Sequence, residues 1–236
     1  MSVWLRVRRP LDRLVAAALA LLTAPILLVL AWRIRRSDPG PGVVVVPRVG
    51  HDGRRFGMHK LRTMRADDGT GLAAGAPITS GSDPRITPIG RRLRRLRVDE
   101  LPQLFDVAAG RMALVGPRPE TPELVDPTDP RWIAVLRARP GIAGPTQLLV
   151  EEWETELLRG DDASNVYRDV VLPVKLAVDE WYVQRATLWT DVLVVVSLCQ
   201  RFVFRNSGCA IERRIRSKVP EARLVGSTPS SVAAQS

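Results

Sequence analysis

From Leu14 to Trp32 the chain runs nineteen residues without a charge, rich in leucine, alanine and valine. As a helix at about 1.5 Å per residue, this run reaches roughly 28 Å, close to the hydrocarbon thickness of a bilayer. A segment of that kind has to be placed in lipid or covered along its length. A cleaved secretory signal fits poorly, because its apolar part is shorter and ends in small residues. This run ends in Trp32-Arg33-Ile34-Arg35-Arg36. Two readings stay open: a helix that spans the bilayer, and a re-entrant helix that enters and leaves by one leaflet. Arg6, Arg8, Arg9 and Arg13 precede the run, and Arg33, Arg35 and Arg36 follow it. Basic flanks tend to stay in the cytoplasm, which favours the second reading. Ala24-Pro25 sits at the middle of the run and is the candidate membrane kink, since proline removes a backbone donor and bends a helix.

The whole chain of 236 residues carries 35 Lys and Arg against 25 Asp and Glu, a net charge of +10. Such a surplus calls for an anionic partner: nucleic acid, anionic lipid or a phosphorylated substrate. Aromatic residues make up only 5% and no stacking motif is present, so nucleic acid is set aside. Cys199 and Cys209 have no partner pattern. With His51 and His59 they form no metal-ligand spacing.

Turn and cap signals divide the remainder. Ser37-Asp38-Pro39-Gly40-Pro41-Gly42 ends the apolar helix. Val43 to Val46 reads as a strand, Asp52-Gly53 as a hairpin turn, and Arg55 to Leu61 as the returning strand. Asp67 to Ser82 reads as a loop. Thr87-Pro88 is a helix start, with threonine as N-cap and proline in the first helical position. A second helix is expected from near Asp99 to Gly110. Few regular elements are expected between Gly116 and Pro145. Helices follow over Pro173 to Gln184 and Leu188 to Phe204. The latter is too short to span and suits an amphipathic helix in the membrane interface, with Trp189 near the headgroups. From about Asn206 the chain turns small and polar, and disorder is expected over the last ten or so residues.

An adjacent acidic pair, Asp99-Glu100, usually caps a helix. Here an arginine-rich helix, with Arg91, Arg92, Arg94, Arg95 and Arg97, leads directly into the pair. Such a field lowers a carboxylate's pKa and attracts phosphate. An ionised carboxylate attacks phosphorus only when the substrate's own charge is neutralised, which arginines and a divalent metal accomplish. Arg118 stands between Pro117 and Pro119 on a stiffened loop, either to offer its fork to a phosphate or to bond nearby carbonyls. Lys60 and Arg62 close the second strand. As alternate residues they share a face, pointing into one site or lining a solvated edge.

Seven motifs in order carry a resemblance: Asp38-Pro39-Gly40-Pro41, Arg48-Val49-Gly50, Lys60-Leu61-Arg62-Thr63-Met64, Asp83-Pro84-Arg85-Ile86-Thr87, Asp99-Glu100-Leu101-Pro102-Gln103-Leu104, Gly116-Pro117-Arg118-Pro119 and Pro140-Gly141-Ile142. The chain resembles the bacterial sugar transferase family, monotopic phosphoglycosyl transferases that act on polyprenyl phosphate, and matches their minimal catalytic core. The resemblance implies that Asp99 is the nucleophile and forms a covalent phosphosugar intermediate, assisted by Glu100. It implies magnesium (Mg2+) beside the dyad, at Asp99. It implies that Lys60, Arg62, Arg94 and Arg118 hold the diphosphate. It also implies a re-entrant N-terminal helix. Ala24-Pro25 stands for the family's Ser-Pro, Leu96-Arg97 for the usual Thr-Ser before the dyad, and His59 for the usual aromatic residue. Gly144-Pro145-Thr146-Gln147 likewise departs from the commoner run.

The expected fold is therefore mixed α/β and mainly helical: a single monotopic membrane domain with a β-hairpin and interfacial amphipathic helices. Residues 1–36 form the membrane helix, 37–205 a cytoplasmic catalytic domain, and 206–236 a polar, partly disordered tail. The expected activity transfers a sugar-1-phosphate from a nucleotide-sugar, of the UDP class, to polyprenyl phosphate, with undecaprenyl phosphate as the carrier. It takes place at the cytoplasmic face of the bacterial inner membrane, against an anionic lipid bilayer and without nucleic acid. Two rivals are a non-catalytic basic scaffold that binds anionic lipid and an inactive transferase of the same fold. The intact dyad argues against the second.

Overall fold

The computed structural model describes residues 2–65, 83–158, 163–204 and 210–226. The expected loop at Asp67 to Ser82 and the last ten residues lie outside the described residues. In chain order the elements are α1 (Trp4–Val7), α2 (Arg9–Ser37), β1 (Val43–Val49), β2 (Arg55–Leu61), α3 (Pro88–Arg95), α4 (Gln103–Ala108), β3 (Ala113–Val115), α5 (Pro130–Leu136), β4 (Gly141–Ala143), α6 (Pro145–Leu149), α7 (Glu151–Leu157), α8 (Ala163–Val166), α9 (Leu172–Arg185), α10 (Leu188–Phe204) and α11 (Ala210–Lys218). The protein is mainly helical. Two small sheets accompany the helices, β1-β2 antiparallel and β3-β4 parallel.

The hairpin pairs Val43 with Leu61 through to Val49 with Arg55. Its turn places Asp52 at φ 57° and Gly53 at φ 72°, the left-handed backbone that an Asp-Gly pair accepts. Strand β1 runs past the expected Val46. Pro47 is tolerated because a two-stranded sheet has only edge strands.

Helix α2 is the long apolar segment, and it has two faces. Ala16 and Ala20 pack against Met58, Leu104, Val107 and Met112. Leu27 and Ile34 pack against Leu61 and Leu93. These positions recur every four or seven residues, so they form one stripe pressed against the protein along most of the helix. On the other face Leu14, Leu21, Leu22 and Leu28 are 70–78% exposed. Pro25 lies inside the helix, which continues on both sides of it. The Ala24 position lacks the family's hydroxyl, but Thr23 supplies one nearby: its Oγ1 donates to the carbonyls of Leu19 and Ala20 at 2.8 and 3.3 Å. Such back-bonding bends helices.

The largest core forms around α9, whose Val178 and Tyr182 are fully buried. The start of the chain is fastened to that core. Ser2 N–H donates to the Val183 carbonyl at 3.0 Å, Trp4 Nε1 to Asp191 at 2.7 Å, and Arg8 to Tyr182 Oη at 2.9 Å. Arg8 also pairs with Asp191 and the Val115 carbonyl. Past residue 205, the expected end of the folded domain, α11 buries Ile211 and Ile215 completely in the same core. Two isoleucines four apart in a charged segment are enough to dock one helical face. Helix α10 leaves Leu188, Trp189, Phe202, Val203 and Phe204 at 55–67% exposure.

Candidate active site

The end of β2 and the start of α3 are brought together first. Thr87 caps α3, its Oγ1 accepting from Gly90 N–H at 3.0 Å, with Pro88 following as expected. Gly90 lies so close to the exit of β2 that a Cβ there would sit 2.0 Å from the Thr63 carbonyl oxygen. Only glycine lets the helix close on the hairpin. Arg94 Nε then donates to Thr63 Oγ1 at 2.9 Å. Helix α3 ends at Arg95, and Arg97, with a φ of 54°, turns the chain sharply into a 3-10 turn, Val98–Glu100. The helix expected from Asp99 to Gly110 is thus divided, and its α-helical part is confined to α4.

That turn delivers the dyad. Asp99 and Glu100 are 2% and 7% exposed. They do not cap α4; no side-chain cap is formed there. Their carboxylates go instead to cations from three other elements. Lys60 Nζ, from the end of β2, lies 2.9 Å from Asp99 Oδ2 and 3.8 Å from Glu100 Oε1. Arg118 Nη2, from the loop after β3, donates to Glu100 Oε1 at 2.8 Å. Arg97 Nη1 is 3.7 Å from Glu100 Oε2, and its other nitrogen pairs with Glu151. Lys60, Arg94 and Arg118 therefore gather at the dyad. Burial opposes ionisation of Glu100, yet Arg118 and Lys60 hold its pKa down at about 2. The Glu100 carboxylate in turn tightens the proton on Arg118. Burial lowers the pKa of Arg94, against the pull of Asp99.

Arg62 goes elsewhere. It is 2% exposed, and its guanidinium donates to the carbonyls of Asp38 and Pro39, beneath Gly40. Strand β2 ends at Leu61, so the alternation that would align Arg62 with Lys60 no longer applies. Arg62 instead fixes the turn that ends α2, the carbonyl-bonding role considered above for Arg118.

Sequence reasoning passed over the support below the site. Lys175 Nζ contacts Glu120 at 2.7 Å and Tyr167 Oη at 2.6 Å, with Glu154 at 3.7 Å. Burial would raise the pKa of Glu120, but Lys175 holds it below the usual range; Glu154 and Asp179 are pushed up by burial. Glu120 follows the Gly-Pro-Arg-Pro motif, and that adjacency was the available signal. His59 also finds a partner, Nδ1 lying 2.8 Å from the buried Asp106. Beyond α3's outer face, a cavity of about 1050 Å³ is lined by Trp32, Arg33, Arg36, Arg65 and Arg92 among others. Arg36 lies over the Trp32 ring.

A buried carboxylate fixed by a lysine, at the centre of a cationic cluster whose lysine and arginines reach solvent, has the charge setting to attack phosphorus. The family model for bacterial sugar transferases matches residues 3–205. The chain belongs to the bacterial sugar transferase family. Curated relatives agree. It is 35% identical over 206 residues to an undecaprenyl-phosphate glucose phosphotransferase of Komagataeibacter xylinus, covering 85% of this chain and 36% of that protein. It is 35% identical over 193 residues to a UDP-glucose:undecaprenyl-phosphate glucose-1-phosphate transferase of Caulobacter vibrioides, covering 80% and 67%. It is 30% identical over 200 residues to the exopolysaccharide production protein ExoY of Rhizobium meliloti, covering 80% and 81%. The chain thus spans little more than a third of the first relative.

Proposed function

We propose that this sugar transferase moves a sugar-1-phosphate from a UDP-sugar to undecaprenyl phosphate, for polysaccharide synthesis. The observation that carries the reading is the Lys60–Asp99–Glu100–Arg118 cluster in a chain of this family. Asp99 Oδ attacks the β-phosphorus of the UDP-sugar, and the bond to the bridging oxygen breaks. UMP leaves with that oxygen, and a phosphosugar remains on Asp99 as an acyl phosphate. A phosphate oxygen of undecaprenyl phosphate then attacks the same phosphorus, breaks the acyl bond and frees the carboxylate. Lys60 orients Asp99, while Arg118 and Arg94 neutralise the diphosphate. Glu100 keeps Arg118 in place for this work.

Magnesium fits this donor set in one way. Among the described residues no three His, Cys, Asp or Glu side chains are grouped to hold a metal. Mg2+ is commonly held by one or two carboxylates together with substrate phosphates. Asp99 and Glu100 match that pattern, and the ion would add charge neutralisation at the diphosphate.

The same reading places the protein on one leaflet, at the cytoplasmic face of the inner membrane. Residues before α2 are bonded to α9 and α10, and Arg62 holds the turn after it. Between these points its Ala16–Ile34 stripe rests on the catalytic body. A straight helix of 29 residues would carry its ends about 43 Å apart, on opposite sides of a bilayer. These attachments favour a helix that dips into lipid with its exposed leucines only. The exposed end of α10 and the arginines around Trp32 suit an anionic surface.

Two measurements test this. Given a UDP-sugar alone, the protein gains the mass of one sugar phosphate and releases UMP, and the Asp99→Asn variant does neither. An adduct on Asp99→Asn, or transfer only when both substrates are present, removes the covalent mechanism. For topology, cysteine is placed at Ser2 in a chain with Cys199 and Cys209 replaced by serine. An impermeant maleimide labels it only after cells are opened; labelling of intact cells means a spanning helix.

A further inference from the structure

We propose that Arg97 is a third phosphate-gripping arginine of this chain, beside Arg94 and Arg118, restrained by Glu151 until a nucleotide diphosphate takes the place of Glu151. The inference rests on the phosphotransfer reading and adds a residue and a restraint to it.

Arg97 holds a backbone that an arginine rarely adopts. Its φ and ψ are 54° and 19°, directly after the helix-ending residue Leu96. Glycine is the usual occupant of that position, because a Cβ is crowded there. Strain of this sort persists where a side chain is needed. From that backbone the guanidinium lies beside the dyad. One nitrogen lies 3.7 Å from Glu100 Oε2, the oxygen that Arg118 does not take. Arg118 and Lys60 make their close contacts with Glu100 and Asp99 themselves, at 2.8 and 2.9 Å. Moving either would uncover a buried carboxylate.

Arg97 is placed differently. Its close partner is Glu151, the first residue of α7 and outside the dyad. The side chains of this pair are 37% and 40% exposed. An ion pair that wet contributes little, so exchanging its carboxylate for another anion costs little. A diphosphate offers more than a single carboxylate: several strong acceptor oxygens, which a planar guanidinium grips in two-point fashion. Glu151 also acts on Arg118, whose proton it helps to hold. A ligand that displaces Glu151 therefore frees Arg97, while Arg118 stays held by Glu100. Thr-Ser, the pair this family resemblance would place at Leu96-Arg97, could not do this.

The test is a double-mutant cycle on the full chain in lipid nanodiscs. Binding of UDP with magnesium is measured by calorimetry, and UMP release is followed with whichever UDP-sugar turns over. Arg97→Gly removes the side chain and relieves the backbone, so its melting temperature stays at or above that of the parent. UDP binding weakens about tenfold, as for the loss of one charge-assisted contact. Glu151→Gln shifts the other way and tightens UDP severalfold. In the double variant that gain disappears, because it acts through Arg97. If both single variants weaken UDP, the pair is a structural tie and the proposal fails. It fails equally if the Glu151→Gln gain survives without Arg97, since Glu151 then acts by bulk repulsion. A parent protein that neither binds UDP nor releases UMP overturns the phosphotransfer reading, and this inference with it.

Discussion

Around Asp99 and Glu100, four cations meet two carboxylates, and the side chains of Lys60, Arg97 and Arg118 remain 22–37% exposed. Around Lys175, one lysine meets Glu120 and Glu154 with its side chain only 7% exposed. The two clusters use the same kinds of side chain for opposite ends. The first has positive charge left over and solvent beside it, so it can accept an anion. The second has negative groups in excess, and its lysine is sealed from solvent. Burial there pushes Glu154 and Asp179 toward their protonated forms, and the cluster neutralises itself. A surplus of one sign at an opening marks a place for a ligand; internal balance marks a brace.

The comparison breaks most visibly at Lys175. Lys175→Ala strands Glu120 in the interior, and removing one partner of a buried pair typically costs about 3–5 kcal/mol. For a chain of this size that lowers the melting temperature by roughly 6–20 °C. Asp99→Asn, in the open cluster, abolishes turnover and leaves the melting temperature nearly unchanged. A Lys175→Ala protein that melts normally but loses turnover would mean that the buried cluster takes part in the chemistry.

Acid gives a smaller effect and a sharper contrast. Glu100 titrates at about 2 in the folded chain against 4.5 unfolded. A depressed carboxylate stabilises the fold above its unfolded pKa and loses that contribution as pH falls. The loss from Glu100 runs from about pH 4.5 down to about 2 and amounts to about 3 kcal/mol. Glu154 and Asp179 are raised, so their protonation on acidification works in the other direction. Unfolding in denaturant across this range should therefore show a steeper acid limb in the parent than in Glu100→Gln. Parallel limbs would mean that Arg118 and Lys60 hold Glu100 only weakly.

Local signals were legible where one residue type decides the geometry. Asp52-Gly53 turns the hairpin, Thr87-Pro88 starts α3, and Leu188 to Phe204 is a single helix. The dyad could be picked out because an arginine-rich helix runs into it, Lys60 because it sits near a strand end, and Arg118 because prolines flank it. Arg62 could not be placed, since its partners Asp38 and Pro39 lie 24 and 23 residues away across a turn. The Lys175 cluster was out of reach for the same reason. Its members are ordinary polar residues of helices and a loop, and only tertiary packing makes them one group. Helix α11 hid its two core isoleucines among charges. Composition alone reads such a segment as tail.

The tie between the first residues and α9–α10 also sets an order of assembly. Trp4 and Arg8 take Asp191 as partner, 187 and 183 residues further along. At roughly 5–20 residues per second, a ribosome needs on the order of ten to forty seconds to make that stretch. For most of that interval the apolar helix is already made while Asp191, which ties down the residues before it, is not. The leucine face of α2 stays exposed even in the finished fold, whereas the alanine face can seat on Met58, Leu104, Val107 and Met112 once residue 112 is made. Seating of α2 on this body can therefore come first, and the tie to Asp191 second. The small alanines that seat α2 on α4 thus have a partner surface long before the N-terminal fastening exists.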